Sequence, residues 1–318
     1  MVYNDEMRKT EKPPSTEKPL ENFRLPVEII DALGEAPSAI LPITGKGEAN
    51  TVLSVSTSKG QFIVRTHPSS DAYRTYIKEE WCISQAARAG IPSAQVIAVG
   101  KGDTCSFMIQ SQIEGTHAAD WSGDMTHVWR ELGRYASMIN SIEVKGFGES
   151  LKDPANGDFV NTWKGIVDWS IDYLFADSFF SDHCILVGRQ QDEVLSRLKE
   201  MYIWSFDSVL NHGNLAPKNA IIDATQRVHL IDWGTAAAHR APHLELSEIL
   251  TWEPHEKYVQ AFLDGYGLKR TDVDQIRRDL DTLILLRMLD SIRWASENKP
   301  DWKKVDFVEH CLKKLRIG

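Results

Sequence analysis

"LNHGNLAPKNAIIDATQRVHLIDWG" (residues 210–234) decides how this chain is read. Two short apolar runs, in "AIID" and "VHLID", read as the strands of a hairpin. Polar clusters flank them. His212, Gly213, Asn214 and Asn219 come before the first, and Asp232 follows the second. An Asn oxygen and an Asp oxygen on facing strand ends suit Mg²⁺. That ion is hard, prefers oxygen, and fills its remaining positions with water and phosphate. The expected metal ligands are therefore Asn219 and Asp232.

Upstream, "TGKGEANTVLSV" (Thr44 to Val55) carries Gly45 and Gly47 in a loop between strands. Glycines there let backbone N–H groups approach a phosphate. It is not a Walker loop, because no GK[ST] opens a helix. "FIVRTH" (Phe62 to His67) places Arg65 at the end of an apolar strand, where a charge needs a partner. Glu79 and Glu80, on the next helix, are the available carboxylates. Such a pair is how protein-kinase-like folds fix nucleotide phosphates.

Around these motifs the pattern divides in two. "NTVLSVST" and "QFIVRT" alternate about a turn, and "AQVIAVG" and "SFMIQSQI" are further strands. Between them residues 72–89 read as a helix, stopped by Gly90 and Pro92. This is a small sheet with one helix. From residue 120 the spacing turns helical, with helices expected at 163–176, 188–202, 244–250, 254–266, 271–297 and 305–316. The expected division is a leader (1–24), a β-rich N-lobe (25–112) and a helical C-lobe (113–318).

Bulk properties narrow the function classes. The net charge of −9 argues against a nucleic-acid or anionic-membrane binder. Nearly all of it lies beyond residue 112, since residues 1–112 carry a net charge of −1. That excess has two readings: solubility, or a field that attracts a cationic small molecule. No apolar run is long enough to span a membrane. The first twenty residues lack the apolar core of a secretory signal and read as a disordered leader. Four scattered cysteines, without a CxxC pair, suggest neither disulfides nor structural zinc. A cytoplasmic location follows as the expectation. Oligomeric state is not legible.

The motifs together carry a resemblance. "HGNLAPKN" and "IDWG" resemble the catalytic loop (H-G-D-x-x-x-x-N) and metal motif of the aminoglycoside phosphotransferase and choline kinase-like family, relatives of the protein kinases. "LPITGKGEANTVLSV" resembles its nucleotide loop, with Asn50 at a position that is often Asn there. "QFIVRTHP" resembles its third strand, and "EEWCISQAARAGIPSAQVIAVG" its paired-Glu helix. "FMIQSQIEG" resembles its hinge, so the Gln110 carbonyl and the Gln112 N–H are expected to face adenine. The similarity covers about residues 38–300. It implies an α+β, two-lobed protein-kinase-like fold and an ATP- and Mg²⁺-dependent transfer to a small-molecule hydroxyl, with GTP equally compatible. One residue departs from the family. Asn214 stands where the family's catalytic Asp would take the acceptor's proton. A carboxamide orients a hydroxyl but cannot deprotonate it. The alternative is a pseudokinase that binds nucleotide or small molecule without efficient turnover.

Overall fold

The computed structural model describes residues 25–43, 50–252 and 254–315. The expected leader (1–24) and the glycines expected to approach phosphate, Gly45 and Gly47, lie outside the described residues.

In chain order the first elements are α1 (Val27–Leu33), β1 (Ala39–Pro42), β2 (Thr51–Thr57), β3 (Gly60–His67), α2 (Ala72–Arg88), β4 (Val96–Lys101), β5 (Ser106–Ser111) and β6 (Thr116–His117). There follow α3 (Met125–Ile139), β7 (Phe147–Asp153), β8 (Asp158–Asn161), α4 (Trp163–Phe175), a one-turn α5 (Phe179–Asp182), α6 (Arg189–Lys199) and β9 (Val209–Asn211). Then come β10 (Ala220–Ile222), β11 (Val228–Leu230), β12 (Ala237–His239), α7 (His243–Thr251), α8 (Glu256–Tyr266), α9 (Arg270–Gln275), α10 (Arg277–Asn298) and α11 (Asp306–Leu315).

The described residues form two compact units. One holds the chain up to Gly123 together with Pro217–Ala236; the other holds Asp124–Ala216 and the chain from Ala237 on. In the first, an antiparallel sheet runs β1-β2-β3-β5-β4. Alternation along β2 buries Leu53 and Val55, and β3 adds Val64. These pack with Phe107, Ile109, Leu25, Ile29 and Leu33. The last two belong to α1, a second helix in a unit where the sequence suggested one. Its seven residues are too few for the helical period to stand out. The Gly90 stop holds: Gly90 takes φ +85°, and the Ile91 N–H returns to the Ala86 carbonyl at 2.9 Å. The β10–β11 hairpin belongs to this same unit and gains a third strand, β6.

In the second unit, Trp163, Leu174, Leu198, Met201, Leu283, Ile292 and Val308 form the core between α4, α6, α10 and α11. Helices α3 and α8 meet where neither can carry a side chain. A Cβ on Gly133 would sit 2.0 Å from the Phe262 carbonyl oxygen, and one on Gly265 would sit 1.9 Å from that of Arg130. One expectation needs correcting: the run 271–297 is two helices, broken at Ile276. The β7–β8 hairpin fills a stretch between expected helices to which the sequence assigns no element; five of its eleven strand residues are exposed and one is buried, which leaves little apolar alternation to find.

Candidate functional site

The Arg65 guanidinium is fixed by α2. Its Nη1 and Nη2 donate to the two oxygens of Glu79 at 2.5 and 3.3 Å. Glu79 is 1% exposed, whereas Glu80 is only half-buried and makes no such pair. Burial lowers the Arg65 pKa, but Glu79, and then Asp232, outweigh it and raise it overall. A two-pronged pair of this kind fixes orientation as well as charge. Tyr76 lies alongside, with Arg65 5.4 Å from its ring centre. Its hydroxyl donates to the Asn50 side-chain oxygen at 2.8 Å, anchoring the residue that leads into β2.

Asp232 follows β11 in the left-handed conformation, φ +63° and ψ +67°. A non-glycine residue held there costs on the order of 1–3 kcal/mol, and such residues cluster at functional sites. The carboxylate is exposed. Asn219, 6% exposed, ends the turn before β10, and its carbonyl accepts the Ile231 N–H at 3.0 Å. The hairpin register Ala220↔Leu230 therefore sets Asn219 and Asp232 at the same end. Among the described residues, no group of three or more His, Cys, Asp or Glu side chains is arranged to hold a metal. One carboxylate and one carboxamide suit Mg²⁺, which commonly takes few protein ligands and completes its shell with water and phosphate.

The hinge expectation is corrected at Gln112. Its N–H donates to the Gln61 carbonyl at 3.0 Å, and its side chain accepts from Ser54 at 2.7 Å. Gln110 sits inside the ladder, opposite Ile63 on β3 and Val96 on β4. Both edges of β5 carry neighbouring strands there, so these backbone groups serve the sheet.

The stretch Leu210–Ala216 lies in the other unit. Asn214 is half-buried there, after β9. Glu245, fully buried on α7, accepts the N–H groups of His212 and Gly213 at 2.5 and 3.0 Å. Burial pushes its carboxyl up to about 7, against the pull of those two backbone donors, and nearby Glu248 adds to the rise. The neighbouring face of α7, with Leu244, Ser247 and Glu248, lines a cavity of about 240 Å³. The same cavity is lined by Glu149, Arg287, Asp290 and the stacked rings of Trp169 and Tyr173, with centres 5.2 Å apart. Burial pushes the Asp290 carboxyl up. Trp169 is 61% exposed, while Trp163 and Trp204 stack at 5.8 Å in and beside the core. Asp168 faces solvent, held by Lys164 and Tyr202.

Sequence reading missed Lys78, Glu245 and this cavity. Lys78, only 3% exposed, donates to the carbonyls of Gly234 and Ala236 at 2.5 and 2.9 Å. The signal for it was present. Lys78 and Glu79 each stand four residues before a buried apolar residue, Cys82 and Ile83, so both charges fall on the helix's inner face.

The model of the phosphotransferase enzyme family matches residues 40–278. An aminoglycoside 3'-phosphotransferase of Streptomyces fradiae is 27% identical over 203 residues, covering 59% of this chain and 71% of that protein. Two solved structures share the fold at low identity. One is a thermostable mutant of aminoglycoside phosphotransferase APH(4)-Ia in ternary complex with ADP and hygromycin B. Its TM-score is 0.66 at 17% identity, over 92% of this chain and 98% of that one. The other is the GDP complex of aminoglycoside 2'-phosphotransferase-IIIa, with TM-score 0.66 at 14% identity, over 92% and 96%. The fold is α+β and protein-kinase-like, and no helix among the described residues is long and apolar enough to cross a membrane. With about three quarters of its length matched by the family model, the chain belongs to the phosphotransferase enzyme family.

Proposed function

We propose that this phosphotransferase moves the γ-phosphate of ATP to a hydroxyl of a small cationic molecule. The observation that carries the nucleotide half is the gathering of Arg65, Glu79 and Asp232. A guanidinium held by a buried carboxylate lies within electrostatic reach of an exposed carboxylate on a left-handed residue. Arg65 grips the phosphates, beneath the loop that carries Gly45, Gly47 and Asn50. Asp232 and Asn219 would hold Mg²⁺, which would supply charge to offset that on the phosphate oxygens. The adenine-facing N–H moves one residue from the sequence expectation, to Ile113. Donors alternate along an extended strand: Ser111 N–H goes to Gln95 and Gln112 N–H to Gln61, so the next N–H turns away from β3. The solved relatives that hold ADP or GDP support a purine nucleotide, with GTP the other candidate.

The acceptor reading rests on the cavity in the helical unit. Glu149 and the Trp169–Tyr173 stack favour a cation, by charge and by ring face, while Arg287 in the same lining is neutralised by Glu248. The acceptor hydroxyl attacks the γ-phosphorus in line. The new O–P bond forms as the bond to the β,γ-bridging oxygen breaks. Asn214 orients the hydroxyl, whose proton passes to water or to the phosphoryl group. Loose phosphoryl transfer depends mainly on positioning and charge neutralisation, so turnover without a carboxylate base is physically reasonable. Family membership favours this over the alternative that Asn214 raises, a binding module without turnover.

The test is calorimetric titration with a non-hydrolysable ATP analogue, with and without Mg²⁺. Metal-dependent binding that is lost in Asp232→Ala supports the reading. Binding indifferent to Mg²⁺ and to Asp232 overturns it.

A further inference from the structure

We infer that Lys78 is a positioning residue: its buried ammonium clamps the loop that presents Asp232. The inference rests on the reading of Asp232 as the metal-binding carboxylate. The residue choice itself asks for a reason. An ammonium that is 3% exposed has given up its water, and an unbranched apolar side chain would fill the same space without that desolvation cost. What the ammonium adds is two directed bonds, to the carbonyls of Gly234 and Ala236.

Those bonds close off one side of a strained residue. Before Asp232, the Ile231 N–H is tied to the Asn219 carbonyl at 3.0 Å. After it, the Ala236 N–H returns to the Trp233 carbonyl at 3.0 Å, and Lys78 takes the carbonyls at 234 and 236. The left-handed Asp232 is bracketed within six residues, 231–236. Non-glycine residues rarely hold that conformation unless their surroundings impose it.

The next residue on α2 does the matching task for the phosphate cation. Glu79 fixes Arg65 while Lys78 fixes the Asp232 loop. A point beside Gly234, where a Cβ would stand, lies 3.5 Å from Asp232 Oδ1 and 3.7 Å from Glu79 Oε1. Adjacent residues of one helix therefore set guanidinium and carboxylate in a common frame.

Amide hydrogen exchange on the free full-length protein tests this directly. In Lys78→Met, amides of residues 232–236 should exchange at least tenfold faster, while those of β10 and β11 keep their rates. Lys78→Arg retains two donors and should restore most of the protection. If Lys78→Met fails to fold, Lys78→Gln, neutral and able to reach one carbonyl, should show an intermediate loosening. In the ATP-analogue titration, Lys78→Met should raise the Mg²⁺ concentration needed for tight binding about tenfold, leaving metal-free binding unchanged. Unchanged exchange at 232–236 overturns the inference whatever the nucleotide result. Wild-type binding that ignores Mg²⁺ overturns the proposed function instead, and faster exchange in Lys78→Met would then still support the clamp.

Discussion

Glu245 Oε1 accepts the backbone N–H of His212 at 2.5 Å, so a carboxyl with no solvent exposure carries the start of the HGNLAPKN stretch. Among the described residues its other oxygen is buried without a hydrogen-bond partner. That arrangement suits the protonated form, consistent with a carboxyl pushed up to about 7. The sign of the pH effect follows. A group whose folded pKa exceeds its unfolded value near 4.5 binds more protons when folded. Its contribution is fully present below pH 4.5 and is lost as pH rises through 7. The loss is at most on the order of 3 kcal/mol across that window. Glu245→Gln keeps an acceptor for both N–H groups and cannot ionise. Buried His239 and His243, held down to about 4, push stability the other way over this range, so the difference between the two proteins isolates Glu245. In urea unfolding, Glu245→Gln should gain on the wild type between pH 5 and pH 8. Parallel changes in both proteins would show that Glu245 does not titrate in this range.

The contrast between Glu79 and Glu245 shows what the sequence can and cannot reveal. Glu79 lies on a helix just after a strand that ends in a cation, so a partner within reach was legible; only the choice between Glu79 and Glu80 needed coordinates. The strands β2 to β5 and helices α2, α3, α4, α7 and α8 follow their apolar periods and were readable for the same reason. Glu245 reaches His212 across thirty-three residues, and Lys78 reaches Gly234 across 156. No local period encodes such pairs. The Gln112 error has a similar origin: a hinge motif locates the strand, but which N–H groups remain free depends on where neighbouring strands end. The cavity was invisible because Glu149, Trp169, Tyr173 and Asp290 come from three separate elements.

The Arg65–Glu79 pair gives a prediction about stability as much as about binding. Both side chains are shielded, at 13% and 1% exposure. Removing one partner of a buried pair leaves an uncompensated charge and costs about 3 kcal/mol or more. Glu79→Ala should therefore lower the unfolding free energy by that order and weaken nucleotide binding at least tenfold. Glu80→Ala, at a half-buried neighbouring position outside the pair, should leave both nearly unchanged. Equal effects of the two substitutions in denaturation and titration would remove Glu79 from its assigned role.

Asn214 is the position at which chemistry, not folding, should respond. Asn and Asp differ little in size, and the side chain is half-buried, so Asn214→Asp should fold as the wild type does. General-base assistance is worth roughly 10²–10⁴ in rate. A gain in that range in single-turnover transfer, with nucleotide affinity little changed, would show a complete acceptor site lacking its base. No gain would mean that proton removal does not limit the native reaction.

Asp232 should separate stability from function. It sits at φ +63°, where glycine is at ease and aspartate is strained by on the order of 1–3 kcal/mol. Asp232→Gly removes that strain and the carboxylate together. Glycine's larger unfolded-state entropy takes back part of the gain, on the order of 1 kcal/mol. Thermal unfolding should therefore show the variant as stable as the wild type or more so, while Mg²⁺-dependent nucleotide binding disappears. Asp232→Ala keeps the strain and loses the same carboxylate, so it should match the glycine variant in lost binding and fall below it in Tm. If the alanine and glycine variants melt together, the left-handed geometry costs no more than glycine's entropy takes back, on the order of 1 kcal/mol. If either retains Mg²⁺-dependent binding, the carboxylate is not the ligand. Strain retained at an exposed carboxylate makes sense only if the carboxylate is used, and this pair of variants measures both halves of that statement in one protein.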